Sequence, residues 1–305
     1  MNIYAPCYYY KFKCKMDKCA HTCCVGWEID IDSDTLEYYN SLDGTFAERI
    51  RRSISYDDCA HFVLDKDERC PFLNKSGLCD IITELGEDSL CDICSDHPRF
   101  RNFYSDHTEI GLGLSCEAVS ELILNSKDVF SIVPIDADEE IKLTYEEKQV
   151  LDTRDRLINL MTDRKISIAK RFEMIAEDIG DLNKWLDFYL RLERLDNSWT
   201  DILKNIRAES FFSFDTDDRL AIPLEQLMIY FLFRHIPSAI DDGDITSKIR
   251  FCLLSCNIIN TLCISEIRNN PQKEIMSTFT DIARMYSSEI EYSDENAYLI
   301  IKELY

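Results

Sequence analysis

Apolar residues recur at helical intervals through the second half of the chain. Leu182, Trp185, Leu186, Tyr189 and Leu190 stand at i, i+3, i+4, i+7 and i+8 and line one helix face. Gly180 and Asp181 supply the stop and start signals ahead of it. Leu224, Leu227, Met228, Phe231 and Leu232 repeat the spacing with Pro223 in the opening turn. Ala297, Ile300, Ile301 and Leu304 do so behind Ser293 and Asp294. Faces of this kind make a core, so the second half reads as a helical bundle. Cys252, Cys256 and Cys263 lie in an equally apolar stretch (Phe251, Leu253, Leu254, Ile258, Ile259) and read as buried small hydrophobes, not ligands. Earlier in the chain, Trp27–Asp32 alternates like a short strand, while Asp34 to Ser41 and Glu117 to Asn125 look helical. Cysteines, not a large core, would pin that part.

Composition divides the molecule. A chain of 305 residues suits about two domains, and only 8 Gly and 7 Pro favour helices over a turn-rich β architecture. Of the 14 cysteines, those at 7, 14, 19, 23, 24, 59, 70, 79, 91, 94 and 116 precede residue 117. The acidic stretch from Val133 to Glu140 reads as a connector. The expected fold is mainly α: a small irregular cysteine-rich metal-binding module over 1–130, an acidic connector over 131–144, and an α-helical bundle domain over 145–305.

With 34 basic and 57 acidic side chains the formal charge is −23, which repels a phosphate backbone and excludes nucleic acid as a partner. The same charge attracts lysine-bearing protein segments. Met1 to Met16 has no apolar signal-peptide region, and the apolar run Leu227–Phe233 stops at Arg234 and His235. The reading is therefore no membrane partner and a cytoplasmic location. Thiols stay reduced there, which favours metal ligation over disulfides.

Cys14, Cys19, Cys23 and Cys24 place four thiols within eleven residues, and Cys70 and Cys79 flank a loop containing Gly77. Crowded thiolates repel, and a cation neutralises them while contributing folding energy. The alternative is reduced structural or redox-sensing thiols. Zinc modules usually show paired C-x2-4-C knuckles; the x4 and x3 spacings leading into an adjacent pair favour an iron–sulfur cluster instead. Gly26 stands where the strict C-x3-C-x2-C run of radical S-adenosylmethionine enzymes needs its third cysteine. Cys91 and Cys94 spell C-x-x-C without a βαβ pattern around them, so Cys94 reads as a ligand and not as part of a thioredoxin-like site. His97 reads as a turn or packing residue. Glu109-Ile110-Gly111-Leu112-Gly113 resembles the acidic glycine turn of Rossmann-like methyltransferases only superficially, since the preceding Asn102 to Thr108 is polar and unlike a buried strand.

These residues together resemble the flagellin lysine-N-methylase family. The resemblance rests on Phe12-x-Cys14-x4-Cys19-x3-Cys23-Cys24-x2-Trp27, Cys70-Pro71-Phe72-Leu73 with Gly77-Leu78-Cys79, Cys94-x3-Pro98-Arg99 and Leu114-Ser115-Cys116. Late segments extend it: Tyr230 to His235, and Tyr286-x2-Glu289-Ile290-Glu291-Tyr292-Ser293-x2-Asn296. It implies transfer of methyl groups from S-adenosylmethionine to lysine side chains of flagellin or another lysine-bearing protein. It also implies an iron–sulfur centre, 4Fe-4S being favoured over zinc, on Cys14, Cys19, Cys23, Cys24, Cys70, Cys79, Cys94 and Cys116. Tyr8, Tyr9, Tyr104 and Glu117 are the candidates for catalysis, and Trp27, Arg99 and Arg234 for contact with S-adenosylmethionine. The other class of function left open is a metal-binding redox-sensing or storage module with a helical partner-binding domain.

Overall fold

A computed structural model describes residues 2–137, 141–175, 177–206 and 218–305. Along the chain, strand β1 (Asn2–Pro6) is followed by α1 (Ser33–Ser41), α2 (Thr45–Arg52), the short strands β2 (Ile54–Ser55) and β3 (His61–Phe62), α3 (Asp80–Leu85) and α4 (Asp92–Asp96). Then come β4 (Arg99–Phe103), β5 (His107–Leu112), α5 (Glu117–Leu124) and β6 (Ile132–Asp136). The remainder is helical among the described residues: α6 (Tyr145–Thr162), α7 (Ile168–Ile175), α8 (Leu182–Tyr189), α9 (Asn197–Lys204), α10 (Ala221–His235), α11 (Ala239–Asp242), α12 (Ile245–Asn269), α13 (Ile275–Tyr286) and α14 (Asp294–Leu304). The fold is mainly α, as the periodicity predicts.

Contacts divide the chain into a smaller unit, residues 13–99 with 116–118, and a larger one, residues 1–12, 100–115 and 119–305. This differs from the expected boundaries. The first strand and the segment 100–115 belong with the helices because they build a sheet in the order β4-β5-β1-β6. In that sheet β1 runs parallel to β5 and antiparallel to β6. The expected connector is thus partly a strand, with Tyr4 opposite Pro134 and Ala5 opposite Val133. β6 sits at the sheet edge, where a proline that donates no ladder hydrogen bond is tolerated. Asp138, Glu139 and Glu140, also assigned to the connector, lie outside the described residues.

In the larger unit α8 is capped by Asp181, whose carboxylate accepts from Asn183 N–H, and α14 by Ser293, which accepts from Asn296 N–H. α10 is buried from Pro223 to Phe233. It packs against α12 and α6, and α12 also packs on α13 and α14. Cys252, Cys256 and Cys263 are buried in α12, as expected. Among the described residues only α12 is long and apolar enough to cross a membrane, and 78% of its apolar stretch is buried inside this fold.

β5 corrects a second expectation. It is buried along its whole length, including His107, Thr108 and Glu109. Its polar side chains hid the strand because each is matched inside the protein. Arg154 donates to both oxygens of Glu109, at 2.5 and 3.0 Å. Tyr104 donates to Glu109 at 2.8 Å and stacks on His107 with ring centroids 4.3 Å apart. Buried carboxylates are retained only with partners of this kind.

In the smaller unit, Trp27–Asp32 keeps the predicted alternation of burial, with Ile29 and Ile31 only 4% and 6% exposed. It forms no continuous strand, however. Val25 bridges Arg69 and Asp30 bridges His61, each in isolation. The chain then turns at Asp32, whose side chain caps α1 by accepting from Thr35 N–H at 2.8 Å. The predicted helices at 34–41 and 117–125 match α1 and α5.

Candidate functional site

Ten of the cysteines fall in the smaller unit, and all but Cys59 sort into two groups. Cys70 and Cys91 are buried in an apolar core made by Ile29, Ile31, Tyr39, Ile50, Phe62 and Phe72, and Cys24, Cys79 and Cys94 pack against it. Backbone bonds fix this inner group. Cys70 N–H donates to Cys24 O at 2.9 Å, Leu73 bridges Cys79, and Cys94 N–H donates to Cys91 O at 3.0 Å. The loop between Cys70 and Cys79 closes on Asn74, whose side-chain oxygen accepts from Ser76 and Leu78 N–H. Arg49 pins the loop from outside by donating to Pro71 O and Asp80, with its guanidinium over the Phe72 ring. Cys91, omitted from the expected ligand set, is 1% exposed and sits in this group; its C-x-x-C spacing to Cys94 was the signal.

The other group, Cys14, Cys19, Cys23 and Cys116, lies toward Glu117, and Cys23 connects it to the inner group through a hydrogen bond between its thiol and that of Cys24. The Glu117 carboxylate accepts from Lys15 Nζ at 2.5 Å, Ala20 N–H at 2.9 Å and His21 N–H at 3.0 Å. It thereby ties the residues that follow Cys14 and Cys19 to the residue that follows Cys116. Burial disfavours the Glu117 charge, but these donors outweigh it and hold the carboxyl below its ordinary value.

The thiols respond to burial and to one another. Burial, then Glu117, Cys14 and Cys116, push Cys19 up to about 11. Burial, reinforced by Cys24 and Cys79, pushes Cys70 up to about 12. Hydrogen bonding to Cys24, then burial and the neighbouring Cys24, Cys116 and Cys14, raises Cys23, while hydrogen bonding to Cys91 and burial raise Cys94. A bound cation acts on all of these in the opposite sense. Among the described residues no group of three or more His, Cys, Asp or Glu is arranged to hold a metal ion. The donors are all thiols, the ligand type that iron–sulfur clusters take.

In the larger unit a buried carboxylate, Glu291, is the second candidate centre. It ends a π-helical turn, Ser287–Glu291, that extends α13, a distortion common at functional sites. Tyr230 OH donates to its oxygens at 3.0 and 3.1 Å, His235 Nε2 lies 2.6 Å from Oε1, and Arg234 Nε lies 3.4 Å from it. Arg234 also donates to Tyr230 OH at 2.8 Å and is sandwiched between the Phe100 and Tyr292 rings, 4.8 Å from each centroid. Burial opposes the Glu291 charge, yet Arg234 and His235 hold its carboxyl below the ordinary value, and burial keeps His235 low. The two late segments of the sequence resemblance meet here. Their separation in the chain concealed it; their joint presence in the resemblance was the available signal.

Gly111 and Gly113 serve this cluster by omission. A Cβ on Gly113 would lie 2.1 Å from Tyr292 Oη and 3.1 Å from an Arg234 nitrogen, and one on Gly111 would lie 2.1 Å from the Phe100 ring. The glycine turn is thus a close approach of strand to aromatic and guanidinium groups. Gly113→Ala should destabilise the protein by about 1–3 kcal/mol, the usual effect of overpacking, measured by thermal or denaturant unfolding. An unchanged midpoint would show that Tyr292 gives way freely.

The remaining candidates are dispersed. Tyr8 is buried with its ring 6.4 Å from Phe130, and burial raises it well above its ordinary value. Tyr9 meets Tyr10 edge-on at 5.7 Å. Tyr104 is engaged with Glu109 and His107 as described. Trp27 lies 6.3 Å from the His97 ring, which burial and then Arg99 push down to about 4. Arg99 donates to Ser95 O and Asp96 O at the end of α4. A hollow of about 330 Å³ lined by Asn205, Glu266, Asn269 and Asn270 contains none of the candidates.

No family profile matches the chain, and no solved structure does. Individual proteins do. A lysine-N-methylase of Salmonella typhimurium is 27% identical over 223 residues, covering 68% of this chain and 52% of that protein. A lysine-N-methylase of Salmonella choleraesuis is 26% identical over 222 residues, with 68% and 52% covered. The flagellar biosynthetic protein FliU of Salmonella muenchen is 28% identical over 146 residues, 43% of this chain and 82% of that protein. The chain spans about half the length of the two methylases it matches, and it is similar to lysine-N-methylases, as its motifs suggest.

Proposed function

Starting from this kinship with lysine-N-methylases, we propose that the chain methylates lysine side chains of flagellin, with S-adenosylmethionine as methyl donor and a thiolate-bound iron–sulfur group in its smaller unit. The observation that carries the reading is the similarity over 68% of the chain to two proteins of that name, joined by a flagellar relative. The acidic balance of −23 supports it, because it raises the local concentration of lysine-bearing substrate.

Methyl transfer to lysine needs an amine stripped of its proton, against an ordinary pKa of about 10.4, and held in line with the methyl group. Glu117 and Glu291 both stay ionised and are already saturated with donors, so their role is to hold structure. Glu117 orders the loops that carry four thiols, and Glu291 fixes Arg234 within the core. With Arg234 engaged there, Trp27 and Arg99 are the candidates for the methyl donor. The iron–sulfur group, when bound to the thiolates, supplies folding energy to a unit of short elements and loops.

The test mixes anaerobically reconstituted protein, S-adenosylmethionine and unmodified flagellin, and maps methyl-lysine by peptide mass spectrometry. Methylated flagellin is expected, with apparent substrate affinity falling several-fold as salt rises while the maximal rate changes little, since exposed charges are screened over about 8 Å at physiological ionic strength. Metal-loaded protein that adds no methyl group would replace this reading with a redox-sensing or storage module. Methylation indifferent to salt would remove the electrostatic argument alone.

A further inference from the structure

We propose that Cys91 and Cys94 form a reversible dithiol–disulfide site, a place of redox modification that exchanges with small disulfides of the glutathione class. Cys94 thereby leaves the ligand set that the resemblance implies, and the iron–sulfur reading passes to other thiols of the unit. The pair stands among loops and short helices, not in a βαβ unit, so the site is one of modification and not of thioredoxin-like catalysis.

Cys91 is the N-cap of α4, its backbone extended, and its carbonyl accepts from Cys94 N–H and Ser95 N–H, both at 3.0 Å. This turn brings the two side chains to one face, where the thiols hydrogen-bond to each other. Residues three apart on a helical turn have Cα atoms about 5 Å apart, within the roughly 4.4–6.8 Å that a disulfide spans. The turn is held from outside. Asp92 N–H donates to Asp32 Oδ2 at 2.9 Å, and just ahead of it Tyr39 OH donates to Ser89 O at 2.7 Å. Closing the bridge therefore orders no loop that is not already ordered. A bridge over so short a segment constrains the unfolded chain little, so folding locks it less than a bridge between distant segments, and it opens again readily. Cys23 and Cys24 hydrogen-bond as well, but consecutive residues can join only by distorting the peptide between them. The two sulfurs of the proposed pair differ in access. Cys91 is 1% exposed, whereas Cys94 is half-buried beside the exposed Ile93. Cys94 is therefore the sulfur that meets an incoming disulfide. Its thiolate attacks one sulfur of glutathione disulfide, forming a mixed disulfide and releasing one glutathione thiolate. The Cys91 thiolate then attacks Cys94 Sγ, the bond from Cys94 to glutathione breaks, and the second glutathione leaves. Two cysteine thiols are oxidised, one glutathione disulfide is reduced to two thiols, and the two protons pass to the departing thiolates.

The experiment takes the full chain, purified anaerobically with its metal content undisturbed, and equilibrates it in mixtures of reduced glutathione and glutathione disulfide of rising oxidised fraction. Acid quenching, alkylation of the remaining thiols and peptide mass spectrometry then place each bond, with iron measured in parallel. The first disulfide within the chain should join Cys91 to Cys94, with loss of both free thiols, full reversal by excess reduced glutathione and no change in iron. Cys91→Ser should instead retain glutathione on Cys94 as a mixed disulfide, and Cys94→Ser should leave Cys91 reduced in every mixture that converts the wild type. A first bond between Cys23 and Cys24, or one made by Cys79, would overturn the proposal. So would Cys91 and Cys94 thiols that stay reduced in glutathione disulfide alone. Iron lost in step with the Cys91–Cys94 bond would overturn it too, since Cys94 would then be a ligand. The wild-type protein carries these readings by itself, so a variant that fails to fold leaves them standing. Iron-free protein that forms the bond, or bond-forming protein that methylates nothing, would uphold the pair while the iron–sulfur or the methylase reading falls.

Discussion

Glu291→Ala should destabilise the protein by about 3–5 kcal/mol, the effect of removing one partner from a buried charge pair. The carboxylate is completely buried and accepts from Tyr230, His235 and Arg234. Without it, Arg234 keeps its guanidinium between Phe100 and Tyr292, desolvated and with its counter-charge gone. Such a loss is a large share of the roughly 5–15 kcal/mol that stabilises a typical domain. In a unit of this size it should lower the melting temperature by roughly 10 °C. Glu291→Gln retains the shape and part of the hydrogen bonding, so its effect should be smaller. Replacing Arg234 by Met in the Glu291→Ala background should recover part of the loss, since the stranded charge is then gone as well. A Glu291→Ala protein within 1 kcal/mol of wild type would show that water reaches Arg234 and that the pair is not desolvated.

What the sequence disclosed and what it concealed follow the range of the interactions involved. α8, α10 and α14 were legible because helical periodicity and capping are local, so Leu182 to Leu190 betray their helix without reference to the rest of the chain. The sheet was not legible: β1 pairs with β5 and β6 across more than a hundred residues, and β6 begins in a segment whose acidic composition suggests a connector. β5 was masked by chemistry as well as distance, because Glu109 and His107 read as exposed until Arg154 and Tyr104 are set beside them. The thiols were visible as a set, while their division into two groups depended on backbone bonds such as that from Cys70 to Cys24. Glu291 shows no role in the sequence alone, because its partners Tyr230 and His235 lie 61 and 56 residues away.

If the proposed iron–sulfur group is bound to its thiols, stripping it from the folded protein should unfold the smaller unit and leave the larger one intact. The smaller unit has four short helices, two two-residue strands and long irregular loops. One modest apolar core supports them, and five of its members or neighbours are cysteines. Structural metal sites of thiolate type contribute on the order of 10–16 kcal/mol to folding, more than a core of this size supplies alone. The larger unit owes nothing to those thiols; α10, α12 and α13 are buried in its core, and Asp244 and Glu274 cap α12 and α13. Amide hydrogen exchange on the whole chain, before and after removal of metal under reducing conditions, separates the two. Residues 33–52 and 80–96 should lose protection by several orders of magnitude, while α10 and α12 keep theirs. Retained protection at 33–52 in metal-free protein would mean that Ile29, Ile31, Tyr39, Ile50, Phe62 and Phe72 suffice to fold the unit, and the thiols would then be free to bind, release or exchange their metal without loss of structure.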